Sequence, residues 1–217
     1  MVELDGPRLA PASGVAPRQL VVFCHGYGAD GNDLISLGQQ FQGILPDAAF
    51  VSPHAPDVCA MSPMGRQWFP ITRLDPDEYW TGCQAAGPVL DNFITAELAR
   101  QNLTEADVAL VGFSQGTMMA LHVGLRRAKP LAVIIGYSGA LAGPEFLPSE
   151  IKSKPPVLLV HGRDDDVVPV AALPSAAGAL GQLQVPVSSH ISEGLGHGID
   201  QSGLELGARA LVEAFKS

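Results

Sequence analysis

The segment GFSQG, residues 112–116, has the spacing G-x-S-x-G. It follows a short β-rich apolar run and precedes a helical pattern, which is the context this motif requires. A sharp strand-to-helix turn strains its central residue and holds the hydroxyl of Ser114 out at the top of a sheet. Gly112 and Gly116 lack Cβ atoms and let neighbouring chain approach closely. The helix N-terminus behind Ser114 favours developing negative charge. The chemistry such a residue performs is nucleophilic attack on a carbonyl.

A serine hydroxyl is a weak nucleophile until a base takes its proton. Where His is the base, a carboxylate fixes its tautomer, and in strand–turn–helix sites the chain order is Ser, Asp or Glu, then His. Four histidines follow Ser114: His122, His161, His190 and His197. His122 falls in the helix after the nucleophile. His161 ends a strand and is placed to pack or to support an acid, and His190 lies within the last strand. His197 sits in GLGHGID, whose flanking glycines let an imidazole reach across the strand ends, so His197 is the expected base. The acid belongs at the end of the strand PVLLVHG, where HGRDDDVVP supplies Asp164, Asp165 and Asp166. Side chains alternate along extended chain, which sets Asp165 against the other two without choosing between them.

An oxyanion requires two N–H donors. One is the amide of Gln115, the residue after the nucleophile; the other comes from a loop after an early strand. HGYGADG, residues 25–31, is such a loop, with Tyr27 as the donor. Its glycine spacing is neither G-x-G-x-x-G nor a Walker motif, so no nucleotide cradle is expected.

These groups need a scaffold. Short Val/Ile/Leu-rich runs at 19–25, 107–113, 131–139 and 155–162 alternate with helical patterns at 32–45, 87–103, 116–128 and 200–216. Broken or shorter strands are expected at 48–56 and 185–191. Apolar runs of this kind are strands buried on both faces, and the alternation predicts a mostly parallel central sheet with helices on both sides. Asn32 is the expected cap of the first helix. The two arginines Arg126 and Arg127 suit the C-terminal end of the helix at 116–128. Residues 57–82 resist the alternation. They hold both tryptophans, and the expectation is a long active-site loop over the strand ends that lines a substrate groove.

The chain of 217 residues fits a single domain spanning 1–217. A hydrophobic share of 47% excludes a disordered chain. The net charge of −9 opposes nucleic acid and anionic membrane as partners. Cys24, Cys59 and Cys83 show no metal-binding or disulfide spacing, so no metal and no cofactor are expected. No basic-then-apolar leader and no membrane-length apolar run stand in the sequence, which makes the cytoplasm the default address.

Taken together, FCHGYGADGNDL, GFSQGTMMAL, HGRDDDVVP and GLGHGID resemble the phospholipase/carboxylesterase family of α/β-hydrolases, in order from about residue 19 onward. The resemblance implies the α/β-hydrolase fold. The family's acid motif H-G-x-x-D-x-x-V-P, laid on this chain, selects Asp165. It implies Ser114 as nucleophile, His197 as base, amides of Tyr27 and Gln115 at the oxyanion, and Trp68 and Phe69 as the aromatic pair of a substrate-binding loop. Two departures stand out. Thr117 takes the place of a second glycine after Gly116, and HGYGAD replaces HGLGD, which is closer to the bacterial carboxylesterase branch.

The implied activity is hydrolysis of small-molecule esters with short-to-medium acyl chains through an acyl-enzyme. A lysophospholipase or acyl-protein thioesterase acting on long chains is the alternative within the class. A non-catalytic binding module of the same fold is the alternative outside it. A homodimer is an assembly the resemblance allows, although no interface is marked in the sequence.

Overall fold

The computed structural model describes residues 3–216. Strands β1 (Arg8–Leu9), β2 (Gln19–Cys24), β3 (Ala48–Val51), β6 (Val108–Phe113), β7 (Val133–Tyr137), β8 (Val157–Gly162) and β9 (Val187–Ser192) form one sheet in the order β1-β3-β2-β6-β7-β8-β9. All pairs are parallel except β1 with β3. A separate antiparallel hairpin is made of β4 (Asp57–Cys59) and β5 (Ser62–Gln67).

The apolar runs form strands because both sheet faces are covered. In β2, Leu20, Val22 and Cys24 face one core, and Val21 and Phe23 face the other. The first core includes residues of helices α2 (Pro76–Gln101), α3 (Gln115–Gly124) and α5 (Ala172–Gln182); the second includes α1 (Gly31–Phe41) and α6 (Gln201–Ala214). A short helix α4 (Leu147–Glu150) adds Leu147 to the first core. Each Leu or Val so buried contributes about 1.5–3 kcal/mol relative to exposure. Among the described residues no helix is long and apolar enough to cross a membrane.

The structure corrects several local expectations. Residues 57–82 are not one irregular loop. They comprise the hairpin, an eight-residue connection and the first two turns of α2. That helix starts at Pro76 because Asp75 caps it, accepting from Glu78 N at 2.8 Å, and proline suits the first helical position. The internal Pro88 had hidden this start, since proline ordinarily ends a helix. Tertiary burial of Leu90, Phe93, Ile94 and Leu98 holds the helix through it. The cap of α1 is Asp30 rather than Asn32; Asp30 Oδ1 accepts from Asn32 N at 2.7 Å. Helix α3 ends at Gly124, with Arg126 and Arg127 just beyond it; Arg126 still serves that end as expected, donating to His122 O at 3.0 Å. They pair with Glu150 and with Asp91 and Glu105 respectively.

Candidate active site

Ser114 occupies the turn between β6 and α3 with φ 54° and ψ −117°, a conformation few non-glycine residues adopt. Its amide donates to Tyr137 O at 2.9 Å, which locks the turn to the neighbouring strand. The glycines of the motif are steric necessities. A Cβ at Gly112 would lie 2.5 Å from Gly116 backbone, and one at Gly116 would lie 1.8 Å from Cys24 O. Thr117 is accommodated in its turn by glycines opposite: a Cβ at Gly136 or Gly139 would fall 2.5 or 2.4 Å from its side chain. Thr117 Oγ1 donates to Tyr137 O at 2.9 Å, so the departure from a second glycine adds a tie between α3 and β7.

The three aspartates separate by burial. Asp164 and Asp166 are exposed, whereas the side chain of Asp165 is 0% exposed. Asp165 Oδ1 accepts from the amides of Val167 (2.9 Å) and Val168 (2.8 Å). Its Oδ2 accepts from His197 Nδ1 at 2.8 Å. Burial pushes the Asp165 carboxyl up, but the hydrogen bonds from His197 and the two amides outweigh it and leave the carboxyl below its ordinary value. His161 Nε2 stands 3.2 Å from Oδ2 and donates to Val168 O at 2.8 Å, which tightens the turn holding Asp165.

The Asp165 and His197 loops are built against each other. Asp164 N donates to Leu195 O at 2.8 Å, and a Cβ at Gly162 would lie 2.2 Å from Gly196 O. Ser138, also at positive φ, donates from Oγ to Gly198 O at 3.0 Å and so fastens the His197 loop to the end of β7. The His197 ring lies 4.9 Å, centroid to centroid, from Phe113, the residue before Ser114. Among the described residues Ser114 Oγ has no hydrogen-bond partner.

The 25–29 turn closes the other side. A Cβ at Gly26 would lie 3.4 Å from Ser114 Cβ, so this turn sits directly beside the hydroxyl. The amide of Gln115 opens helix α3, where first-turn N–H groups have no intrahelical acceptor. The Gln115 side chain has a task the sequence did not reveal. Its Oε1 accepts from Trp68 N at 2.9 Å and its Nε2 donates to Phe69 O at 2.8 Å. Trp68 and Phe69, expected to contact substrate, are 1% and 2% exposed. Trp68 Nε1 donates to His25 O at 3.0 Å, and Phe69 packs against Gly82. Their side chains therefore anchor the segment in the core rather than lining an open groove. The hairpin joins the turn through main-chain atoms: Gly28 N donates to Arg66 O (2.9 Å), and Arg66 N donates to Ala29 O (2.7 Å). The Cys59 thiol against the Tyr27 hydroxyl pushes that phenol up to about 12.

Residues 11–210 match the family model described as Phospholipase/Carboxylesterase. The chain belongs to the phospholipase/carboxylesterase family. This makes it a hydrolase of the α/β-hydrolase fold. The crystal structure of esterase PE8 is 48% identical, with a TM-score of 0.95 over 98% of this chain and 100% of that one. Esterase YpfH of Escherichia coli (strain K12) is 28% identical over 87% of this chain and 79% of its own length. Acyl-protein thioesterase 1 of Gibberella zeae is 29% identical over 89% and 91%.

Proposed function

We propose that the protein is a serine carboxylesterase in which Ser114, His197 and Asp165 act as the catalytic triad. The observation that carries this reading is the 2.8 Å contact of His197 Nδ1 with the buried Asp165 carboxylate, beside a serine held at positive φ. Ser114 Oγ attacks the ester carbonyl carbon while its proton passes to His197 Nε2. The carbonyl oxygen becomes an oxyanion and accepts from the amides of Tyr27 and Gln115. Asp165 holds the Nδ1 proton in place and stabilises the imidazolium. Collapse of the intermediate expels the alcohol, which takes the proton from His197. Water then attacks the acyl-enzyme with His197 as base, releasing the acid and restoring Ser114.

Short-to-medium acyl chains are the proposed substrates. Trp68 and Phe69 fill the interior beside Gln115. A cavity of about 620 Å³ is lined by Trp80, His122 and Arg126 and not by Ser114. The thioesterase named among the relatives supports a long-chain alternative. The net charge of −9, which opposes an anionic membrane surface, supports a cytoplasmic address. Hydrolysis of p-nitrophenyl esters from acetyl to palmitoyl, with Ser114→Ala as control, tests both readings. Turnover should peak at short chains and vanish in the variant. A rise toward palmitoyl would transfer the assignment to long-chain substrates, and full activity of Ser114→Ala would end the serine mechanism.

A further inference from the structure

His25 stands just before the oxyanion turn, is completely buried, and has no part in the triad. Its ring makes two polar contacts. Nδ1 is 2.8 Å from Gly26 O, and Nε2 is 3.0 Å from Ala55 N. A carbonyl oxygen only accepts and an amide N–H only donates. Nδ1 therefore carries the hydrogen and Nε2 is bare, so both contacts demand the same neutral tautomer. Burial lowers the pKa of this imidazole, in agreement with a neutral ring.

The acceptor matters more than the donor. The carbonyl of Gly26 and the N–H of Tyr27 belong to one peptide unit, which is planar with the two groups pointing in opposite directions. Gly26 O also accepts from Ala29 N at 3.3 Å. Holding that oxygen aims the Tyr27 N–H the other way. A carbonyl that accepts hydrogen bonds also polarises its own amide and makes the N–H a stronger donor. The ring is itself held by Trp68, whose indole lies 5.7 Å away and donates to His25 O at 3.0 Å.

We propose that His25 is a positioning residue of the oxyanion site, aiming the Tyr27 amide through its Nδ1–H bond to Gly26 O, with the Ala55 amide selecting the tautomer. The inference rests on the serine-esterase reading and is separable from it. Asparagine places an N–H near the position of Nδ1, so His25→Asn should keep kcat within about tenfold. Glutamine reaches toward Ala55 but removes the side-chain donor to Gly26 O, leaving it only the longer bond from Ala29 N. His25→Gln should lose about 10²-fold in kcat with KM little changed, the scale of a misplaced transition-state contact. Its affinity for a trifluoromethyl ketone, which forms a Ser114-linked oxyanion, should fall in parallel with kcat/KM.

Equal kcat in folded His25→Asn and His25→Gln would overturn the proposal, as would a fall in kcat that leaves ketone affinity intact. Nitrogen-15 NMR of the wild-type His25 ring needs no variant: a protonated Nδ1 with a bare Nε2 is expected, and the reverse assignment overturns it. Ala55→Pro removes the selecting amide while sparing the imidazole, and should lower kcat about tenfold; unchanged kcat would overturn the tautomer argument. Loss of esterase activity in Ser114→Ala, with indifference to His25, would sink this inference alone.

Discussion

Asp165→Asn isolates the role of the carboxylate from that of its turn. Oδ1 faces two N–H donors, Val167 and Val168, so the amide oxygen of asparagine must occupy that position. The NH2 group then replaces Oδ2 and faces His197 Nδ1. A donor there forces Nδ1 to accept and moves the imidazole proton to Nε2, which can no longer take a proton from Ser114. The wrong tautomer costs about 10⁴ in kcat, or about 5.4 kcal/mol at about 1.36 kcal/mol per decade. The NH2 group also points a donor at His161 Nε2, which spends its hydrogen on Val168 O, so a modest fall in Tm accompanies the change. Steady-state hydrolysis of p-nitrophenyl butyrate reads the first effect, and thermal unfolding reads the second. Asp164→Asn and Asp166→Asn serve as controls and should stay within about twofold, since both side chains are exposed. A loss below tenfold for Asp165→Asn, or a comparable loss in either control, would refute the assignment of the acid.

Three further outcomes follow from the geometry. Ser114→Gly should abolish turnover yet raise stability by about 1 kcal/mol in denaturant titration, because glycine relieves the strained backbone at φ 54°; a destabilised variant would contradict the strain. Gly116→Ala should unfold the protein or lower its stability by more than about 3 kcal/mol, since its Cβ would meet Cys24 O at 1.8 Å; near-wild-type circular-dichroism melting would count against this packing. Burial and the nearby Arg126 push His122 down to about 4, from an unfolded value of 6.5. The unfolded chain therefore binds the extra proton first, and stability falls as pH drops from 6.5 toward 4, by on the order of 3 kcal/mol. His122→Phe should flatten this decline in urea titrations across that range, and an unchanged slope would assign the acid sensitivity elsewhere.

The parallel sheet was legible because its strands are continuous Val/Ile/Leu runs, a pattern that only two-sided burial explains. The turn at Ser114 was legible because its two glycines are steric requirements that leave a mark in the spacing. The contact between His197 and Asp165 was harder to read. Alternation set Asp165 against Asp164 and Asp166 but carried nothing to say which side faces the histidine, and the family likeness had to choose. Burial and the amides of Val167 and Val168 single out Asp165 in three dimensions. The hairpin and the early start of α2 escaped notice. The SPMGRQ strand has a proline, a glycine and no apolar alternation, and Pro88 mimicked a helix boundary. His25 and the Gln115 side chain were invisible for another reason: their roles are contacts with main-chain atoms, of Gly26 and Ala55 for one and of Trp68 and Phe69 for the other, which leave no mark in residue type or spacing.

The hairpin of residues 57–67 bears on how such proteins diversify. It grips the oxyanion turn through Arg66 N and O, and a Cβ at Gly65 would lie 2.0 Å from Gly28 O. Every residue type but proline offers the same main-chain N–H and C=O, so this grip constrains the glycines at 28 and 65, bars proline at 66 and leaves side chains free. The side chains of Val58, Met61 and Met64 project outward, with Met64 93% exposed. Mutational drift at the tip is thus decoupled from the position of the 25–29 turn. A lineage can exchange these few residues and remake that surface while the main-chain grip on the 25–29 turn stays intact.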